Sequence, residues 1–255
     1  MLCARRASRE LSASARDALL ATYKREQRAL ISRLRVDRPA RVVFEPIRGR
    51  HLVDGVASAA ECRAAAEAAR GAMRRASDTD GDRGRLFPPA APEAAPLLGE
   101  RGFELFADLS ARVAARVRAR YGADAEPVNH LVSWIAGRGR RGGEGAGEEG
   151  GARGLQSFNW LQHAVTGTYG PHVDKANQPQ YDISALLYLG TAGEDFEGGL
   201  FAFNDHDCDR LVAPVAGRML AFGSGFENLH QVRPVRSGER FVLSVWFRRG
   251  PGSER

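Results

Sequence analysis

Cysteine is scarce in this chain: Cys3, Cys62 and Cys208 are scattered, show no C-x-x-C spacing and cannot all pair, so a disulfide framework is not indicated. No stretch approaches the roughly 20 apolar residues that a membrane span needs. Met1 to Arg16 also lacks the apolar centre of a secretory signal. No internal repeat is evident. Lysine is nearly missing, and the formal net charge of +6 is carried almost entirely by arginine. Arg5, Arg6, Arg9, Arg16, Arg25, Arg28, Arg33 and Arg35 cluster early in the chain and read as a solvated helix face rather than a docking site for acidic partners.

At 255 residues, with 43% hydrophobic and 27% charged content, the chain suits one substantial core with a helical flank. The opening MLCARRASRELSASAR fits an organelle transit peptide, a plain helical N-terminus and an incomplete gene start equally well, which leaves the compartment open.

Apolar residues at Leu19, Tyr23, Leu30, Ile31 and Leu34 predict a helix within Leu11 to Leu34, and Arg41 to Phe44 predict a short strand. Ser58 and Glu61 form a capping-box signal ahead of an Ala-rich helix reaching about Arg75. Asp-Gly and Pro-Pro steps predict a loop over 76–95. Phe106, Leu109, Val113, Val117 and Tyr121 then mark one face of a second firm helix.

After Gly122 the pattern changes to short β-rich runs. Val128 to Ile135 opens them, and Gly137 to Gly154 follows, built from Gly, Arg, Glu and Ala alone. That composition buries too little apolar surface to order itself and predicts a mobile hairpin loop, placed to act as a lid. Strands are then expected at 157–165, 170–174, 183–189, 200–204, 210–213, 218–222, 231–235 and 241–247. The organisation expected is a helical extension over 1–40, a helical support region over 41–125, and an α+β sandwich or jelly roll over 126–250. Gly198 and Gly199 predict a bulge or close backbone approach at a sheet rim. The run Asp205 to Cys208 splays its side chains and predicts a polar hairpin tip.

The chemistry concentrates in His172, Asp174 and His230, followed by Arg240. Two imidazoles and a carboxylate make the facial triad that holds non-haem Fe(II) with coordination positions left open. On a strand, His172 and Asp174 would point to one face, with Val173 opposite, and His230 must arrive from another strand. Past a turn expected at Ser237 and Gly238, Arg240 opens the next strand, where its planar fork suits a carboxylate.

With these residues in view, His51 to Phe247 resembles the 2-oxoglutarate and Fe(II)-dependent dioxygenases of the prolyl hydroxylase type, nearest in look to the prolyl 3-hydroxylase branch. The likeness is carried by YGPHVD (Tyr169–Asp174), YDISALLYL (Tyr181–Leu189), DFEGGLFAF (Asp195–Phe203) and AGRMLAFGSGFENLHQV (Ala216–Val232). The resemblance implies a double-stranded β-helix (jelly roll) with helices packed on one sheet. It implies Fe(II) bound by His172, Asp174 and His230, the distal carboxylate of 2-oxoglutarate held by Arg240, and Tyr188 helping to hold that cosubstrate. Tyr169 is expected to be supporting or substrate-side, and Trp246 to pack near the site.

The same resemblance implies a dioxygenase that consumes dioxygen, decarboxylates 2-oxoglutarate to succinate and hydroxylates an aliphatic C–H bond, most naturally of peptidyl proline, with ascorbate as a further cofactor. The retained Asp174 favours hydroxylation over halogenation. Two other classes stay open. A non-catalytic jelly-roll binding module has no use for an open iron site. A nucleic-acid demethylase on the same fold would carry an Arg-x-Asn-x-Thr pattern after its distal His, which this chain lacks, so nucleic acid is not the expected partner.

Overall fold

The computed structural model describes residues 12–34, 39–42, 49–75, 83–86, 92–137 and 169–250. The expected strand at 157–165, nearly all of the Gly-rich loop, Phe44, Cys3 and most of the proposed transit sequence lie outside these residues. The side chain of Tyr169 lies outside them as well.

Helix α1 (Ala13–Ile31) starts where Ser12 Oγ accepts the Ala15 N–H, and two short strands follow, β1 (Ala40–Val42) and β2 (Arg50–Val53). Before α2 (Ala59–Arg75) the capping box forms as expected: Ser58 N–H donates to Glu61 Oε2 at 2.8 Å and Glu61 N–H to Ser58 Oγ at 3.2 Å. The segment expected to be loop, 76–95, contains a strand, β3 (Arg83–Leu86), and a 3-10 turn, Pro92–Ala94, which leads into the short helix α3 (Ala95–Leu98). Strand β3 is short and lacks alternation because it sits at the sheet edge, paired only with β4 (Glu126–Ala136), after the long helix α4 (Glu100–Tyr121).

The β-region continues with β5 (Tyr169–His172), β6 (Ile183–Tyr188), β7 (Phe196–Gly198), β8 (Phe201–Asn204) and β9 (Asp209–Val212). It ends with β10 (Met219–Gly223), β11 (His230–Val232) and β12 (Val235–Arg248). Two sheets result: a five-stranded one in the order β1-β9-β8-β11-β5, and a seven-stranded one in the order β2-β10-β6-β12-β4-β3, with β7 also paired to β12. Residues 205–208 form the tip of the β8–β9 hairpin, as expected.

Alternation along the large sheet explains the layers. Leu187, Met219, Ala221, Leu243 and Val245 face outward and share one core with α2 and α4. Alanines dominate the buried stripe of α2 and let it approach closely, and Cys62 is sealed in this layer with 0% exposure. Leu186, Tyr188, Leu220, Phe222 and Val242 face inward instead, and meet Phe201, Phe203, Val212 and Val232 of the small sheet. Helix α1 packs on β5 and the turn after it. No described helix is long and apolar enough to cross a membrane.

Strand β12 corrects one expectation. Ser237 and Gly238 are not a turn; they lie within the strand, paired with Glu197 and Phe196 of β7. The break comes earlier, at Arg233 and Pro234, where proline cannot donate to a ladder and the chain crosses from the small sheet to the large one. Gly198 and Gly199 adopt φ 78° and 63°. A Cβ at Gly199 would stand 3.0 Å from Arg240 Cδ, so this close approach at the rim needs glycine.

Candidate metal centre

His172 closes β5 and His230 opens β11, and the antiparallel register makes them partners in the small sheet. Both rings turn inward, with centroids 4.2 Å apart. Asp174 was expected on the same strand as His172; instead β5 ends at His172 and Asp174 begins a 3-10 turn, Asp174–Ala176. The ladder stops because the Val173 N–H is taken by a side chain, Gln27 Oε1, at 2.8 Å, while the Asn177 N–H closes the turn onto the Asp174 carbonyl. Val173 keeps extended geometry (φ −123°, ψ 127°), so the side chains still alternate up to the ligand position.

The outcome is a cluster in which ligand atoms of His172, Asp174 and His230 all lie within 4.8 Å of one another. His172 Nε2 is 3.6 Å from Asp174 Oδ1, and His230 Nε2 is 3.9 Å from Asp174 Oδ2. Each imidazole is oriented from behind. His172 Nδ1 donates to the Gly170 carbonyl and His230 Nδ1 to the Asn228 carbonyl, both at 2.8 Å, which leaves each Nε2 lone pair facing the carboxylate.

Asp174 is buried, and Ser184 Oγ donates to its Oδ2 at 2.6 Å. Ser184 Oγ also lies 2.7 Å from Ser224 Oγ. Burial opposes ionisation of Asp174, yet His230, His172 and Ser184 together hold its carboxyl well below the usual range. Burial pushes His230 down to about 4, so its ring is neutral near pH 7. His172 moves the other way: burial would lower it, but the adjacent Asp174 carboxylate and the Gly170 carbonyl together outweigh burial and raise it. An ionised carboxylate beside a neutral imidazole is the charge state a divalent cation requires.

Arg240 and Tyr188 also face the interior, from adjacent strands of the large sheet. Arg240 is 2% exposed, its Nε donates to the Gly199 carbonyl at 2.9 Å, and its Cζ is 5.7 Å from the Tyr188 ring centroid. The Tyr188 hydroxyl is buried without a hydrogen-bond partner among the described residues. A buried, orphaned O–H beside a guanidinium fits an anionic oxygen ligand, since leaving such a donor unpaired is costly. Trp246 stacks on Tyr181 at 5.2 Å and pairs across the strand with Ser184, so it lies near the cluster as expected.

Sequence reasoning passed over the supporting residues. Ser184 carried a signal, as a hydroxyl on the inward face of an otherwise apolar strand. Arg50 and Asn228 carried none. Arg50 Nε donates to Asn228 Oδ1 at 2.8 Å while its guanidinium lies 3.7 Å over the Phe203 ring, and the pair braces the residue whose carbonyl orients His230.

Residues 158–248 match the model of the 2OG-Fe(II) oxygenase superfamily. Over 81 residues the chain is 42% identical to 2-oxoglutarate and iron-dependent oxygenase domain-containing protein 3 of Xenopus tropicalis, covering 32% of this chain and 26% of that one. Over 73 residues it is 44% identical to human prolyl 3-hydroxylase 2, covering 28% of this chain and 10% of the relative. The chain thus spans about a quarter or less of the length of these curated relatives. A Trichoplax adhaerens prolyl hydroxylase, solved with a peptide fragment of the hypoxia inducible factor oxygen degradation domain, superposes with a TM-score of 0.55. It is 15% identical and covers 91% of this chain and 93% of its own, and the likeness establishes the shared jelly-roll fold. The residues that match the 2OG-Fe(II) oxygenase superfamily, 158–248, include all three members of the His-Asp-His cluster.

Proposed function

We propose that the protein is a Fe(II)- and 2-oxoglutarate-dependent dioxygenase that hydroxylates an aliphatic C–H bond, with peptidyl proline as the substrate class. The observation that carries this reading is the convergence of His172, Asp174 and His230 within 4.8 Å, in the same interior as Arg240 and the orphaned Tyr188 hydroxyl. His172 and His230 Nε2 and an Asp174 oxygen would hold the iron. Arg240 would bind the distal carboxylate of 2-oxoglutarate, and Tyr188 would donate its idle proton to the same group.

Bound together, iron and 2-oxoglutarate supply oxidation by dioxygen, with succinate and carbon dioxide released from the cosubstrate. The chain's own part is orientation and exclusion of water. Backbone carbonyls fix the tautomer of both imidazoles, Ser184 restrains Asp174, and Phe201, Phe203 and Phe222 pack around His230. Peptidyl proline is favoured by the 44% identity to a relative named prolyl 3-hydroxylase 2. Ascorbate belongs to the proposal as the reductant that keeps the metal ferrous.

The test has two stages. Anaerobic addition of Fe(II) and then 2-oxoglutarate to the metal-free protein is expected to produce a visible charge-transfer band, and its absence defeats the oxygenase reading. Mass spectrometry of a proline-containing peptide library incubated with enzyme, iron, ascorbate and 2-oxoglutarate is then expected to show products heavier by one oxygen. Succinate release stimulated by methylated oligonucleotide instead of peptide would replace the substrate class with nucleic acid.

A further inference from the structure

Two residues adjacent in sequence to the cluster, Val173 and Leu229, turn their side chains away from it. Val173 lies between His172 and Asp174 with 0% exposure, and Leu229 precedes His230 with 6%. With Ala176 they form a small apolar cluster separate from the two larger cores. Its opposite wall is α1, through Tyr23, Leu30 and Ile31, and Tyr23 meets Phe226 edge-on with centroids 5.3 Å apart. Helix α1 therefore backs the segments that carry all three ligand side chains.

One residue on that helix face is polar. Gln27 is the only buried residue of α1, at 2% exposure, and a leucine there would have continued the apolar stripe. Its Oε1 accepts the Val173 N–H at 2.8 Å, a bond between two buried groups. That amide stands where extended backbone gives way to the 3-10 turn of Asp174. Any other acceptor in an apolar contact would have to come from water or from a shifted backbone, and either would move the residue joining His172 to Asp174.

We propose that Gln27 is a positioning residue of the metal centre: from α1 it holds the Val173 amide and so aims His172 and Asp174 at a common cation. The idea rests on the metal-binding reading above. It extends the functional unit to a helix outside the family-matched residues 158–248. Coupling of this kind is reciprocal, so a bound cation must in turn hold α1 in place.

The experiment uses the full chain, freed of metal and titrated anaerobically with Co(II), whose visible d–d absorption reports both affinity and coordination geometry. Gln27→Met keeps the length of the side chain without a comparable acceptor, and Gln27→Glu keeps an oxygen at the same reach. Gln27→Met is expected to bind Co(II) about 10-fold more weakly with an altered spectrum, and Gln27→Glu to recover most of the affinity. Wild-type affinity in Gln27→Met overturns the proposal, as does equal weakening in both variants, which would mean that helix docking alone matters. Should the variants fail to fold, tryptic cleavage of the wild-type chain at the exposed Lys24, Arg25 and Arg28 decides the matter. Co(II) is expected to slow it, and an unchanged rate overturns the proposal. Failure of the wild-type chain to bind Co(II) at all defeats the metal-binding reading itself, a result distinct from wild-type affinity in Gln27→Met.

Discussion

His172 and His230 face each other directly across antiparallel β5 and β11. The sheet register therefore fixes two of the three candidate ligands at once, and a slip of one residue in either strand would turn an imidazole out of the interior. Asp174 alone is held by a turn. Asp174→Ala is expected to abolish turnover and to weaken Fe(II) binding by more than the roughly 10–100-fold typical of losing an outer partner. Unchanged far-ultraviolet circular dichroism would separate this from unfolding, and retained metal affinity would remove Asp174 from the site.

Ser184 donates to Asp174 Oδ2, which leaves Oδ1 for a cation. Ser184→Ala is expected to weaken metal binding about 10-fold without changing which groups bind. Calorimetric titration with Mn(II) checks this, and equal affinities would show that Asp174 needs no restraint from β6.

Arg240→Ala is expected to raise the 2-oxoglutarate requirement by about 30-fold or more, corresponding to about 2–5 kcal/mol, with a milder effect for Arg240→Lys. Steady-state kinetics at varied cosubstrate checks it. If the requirement does not change, the carboxylate is bound elsewhere.

Tyr188→Phe separates binding from stability. The hydroxyl is buried and unpartnered, so its removal is expected to stabilise the ligand-free protein by about 1 kcal/mol. Loss of a hydrogen bond to a charged ligand is expected to weaken 2-oxoglutarate binding by about 10-fold. Thermal melts with and without cosubstrate should therefore move in opposite directions. A lowered melting temperature in both conditions would sink the assignment.

Asp205 carries the pH dependence. Burial would raise its pKa, but hydrogen bonds from Arg50 and Arg210 outweigh that and hold it below its ordinary 3.8. Its contribution is present in full above the unfolded value and is lost as pH falls through the lower folded value. Asp205→Asn leaves Arg50, 8% exposed, without its carboxylate, and is expected to cost about 2–3 kcal/mol at pH 7. Urea melts should show that gap narrowing below about pH 4. A gap independent of pH would mean that the ion pair does not stabilise the fold.

Much of this was legible in the sequence, because periodicity and capping are local. The apolar stripe of α4 and the Ser58–Glu61 box placed two helices, and the His-x-Asp spacing with a distant His placed the cluster. What escaped depends on contacts remote in sequence. Strand β3 reads Arg-Gly-Arg-Leu and is a strand only because β4 offers it an edge. Asp174 leaves the strand because Gln27, far back in the chain, takes the preceding amide, that of Val173. The apolar positions of α1 were visible, but no local pattern says what a helix face will meet. Ser237 and Gly238 have turn-like chemistry, yet β7 captures them into β12.

Cys62 has a practical consequence. Sealed between α2 and the large sheet, its thiol is pushed up to about 11 by burial and stays protonated at neutral pH. Cys208, equally shielded at 2% exposure, sits on the β8–β9 hairpin instead. A thiol-alkylating reagent, with its adducts resolved peptide by peptide, therefore offers a built-in pair of clocks: one records when the helical layer lifts, the other when the hairpin frays, with no label introduced.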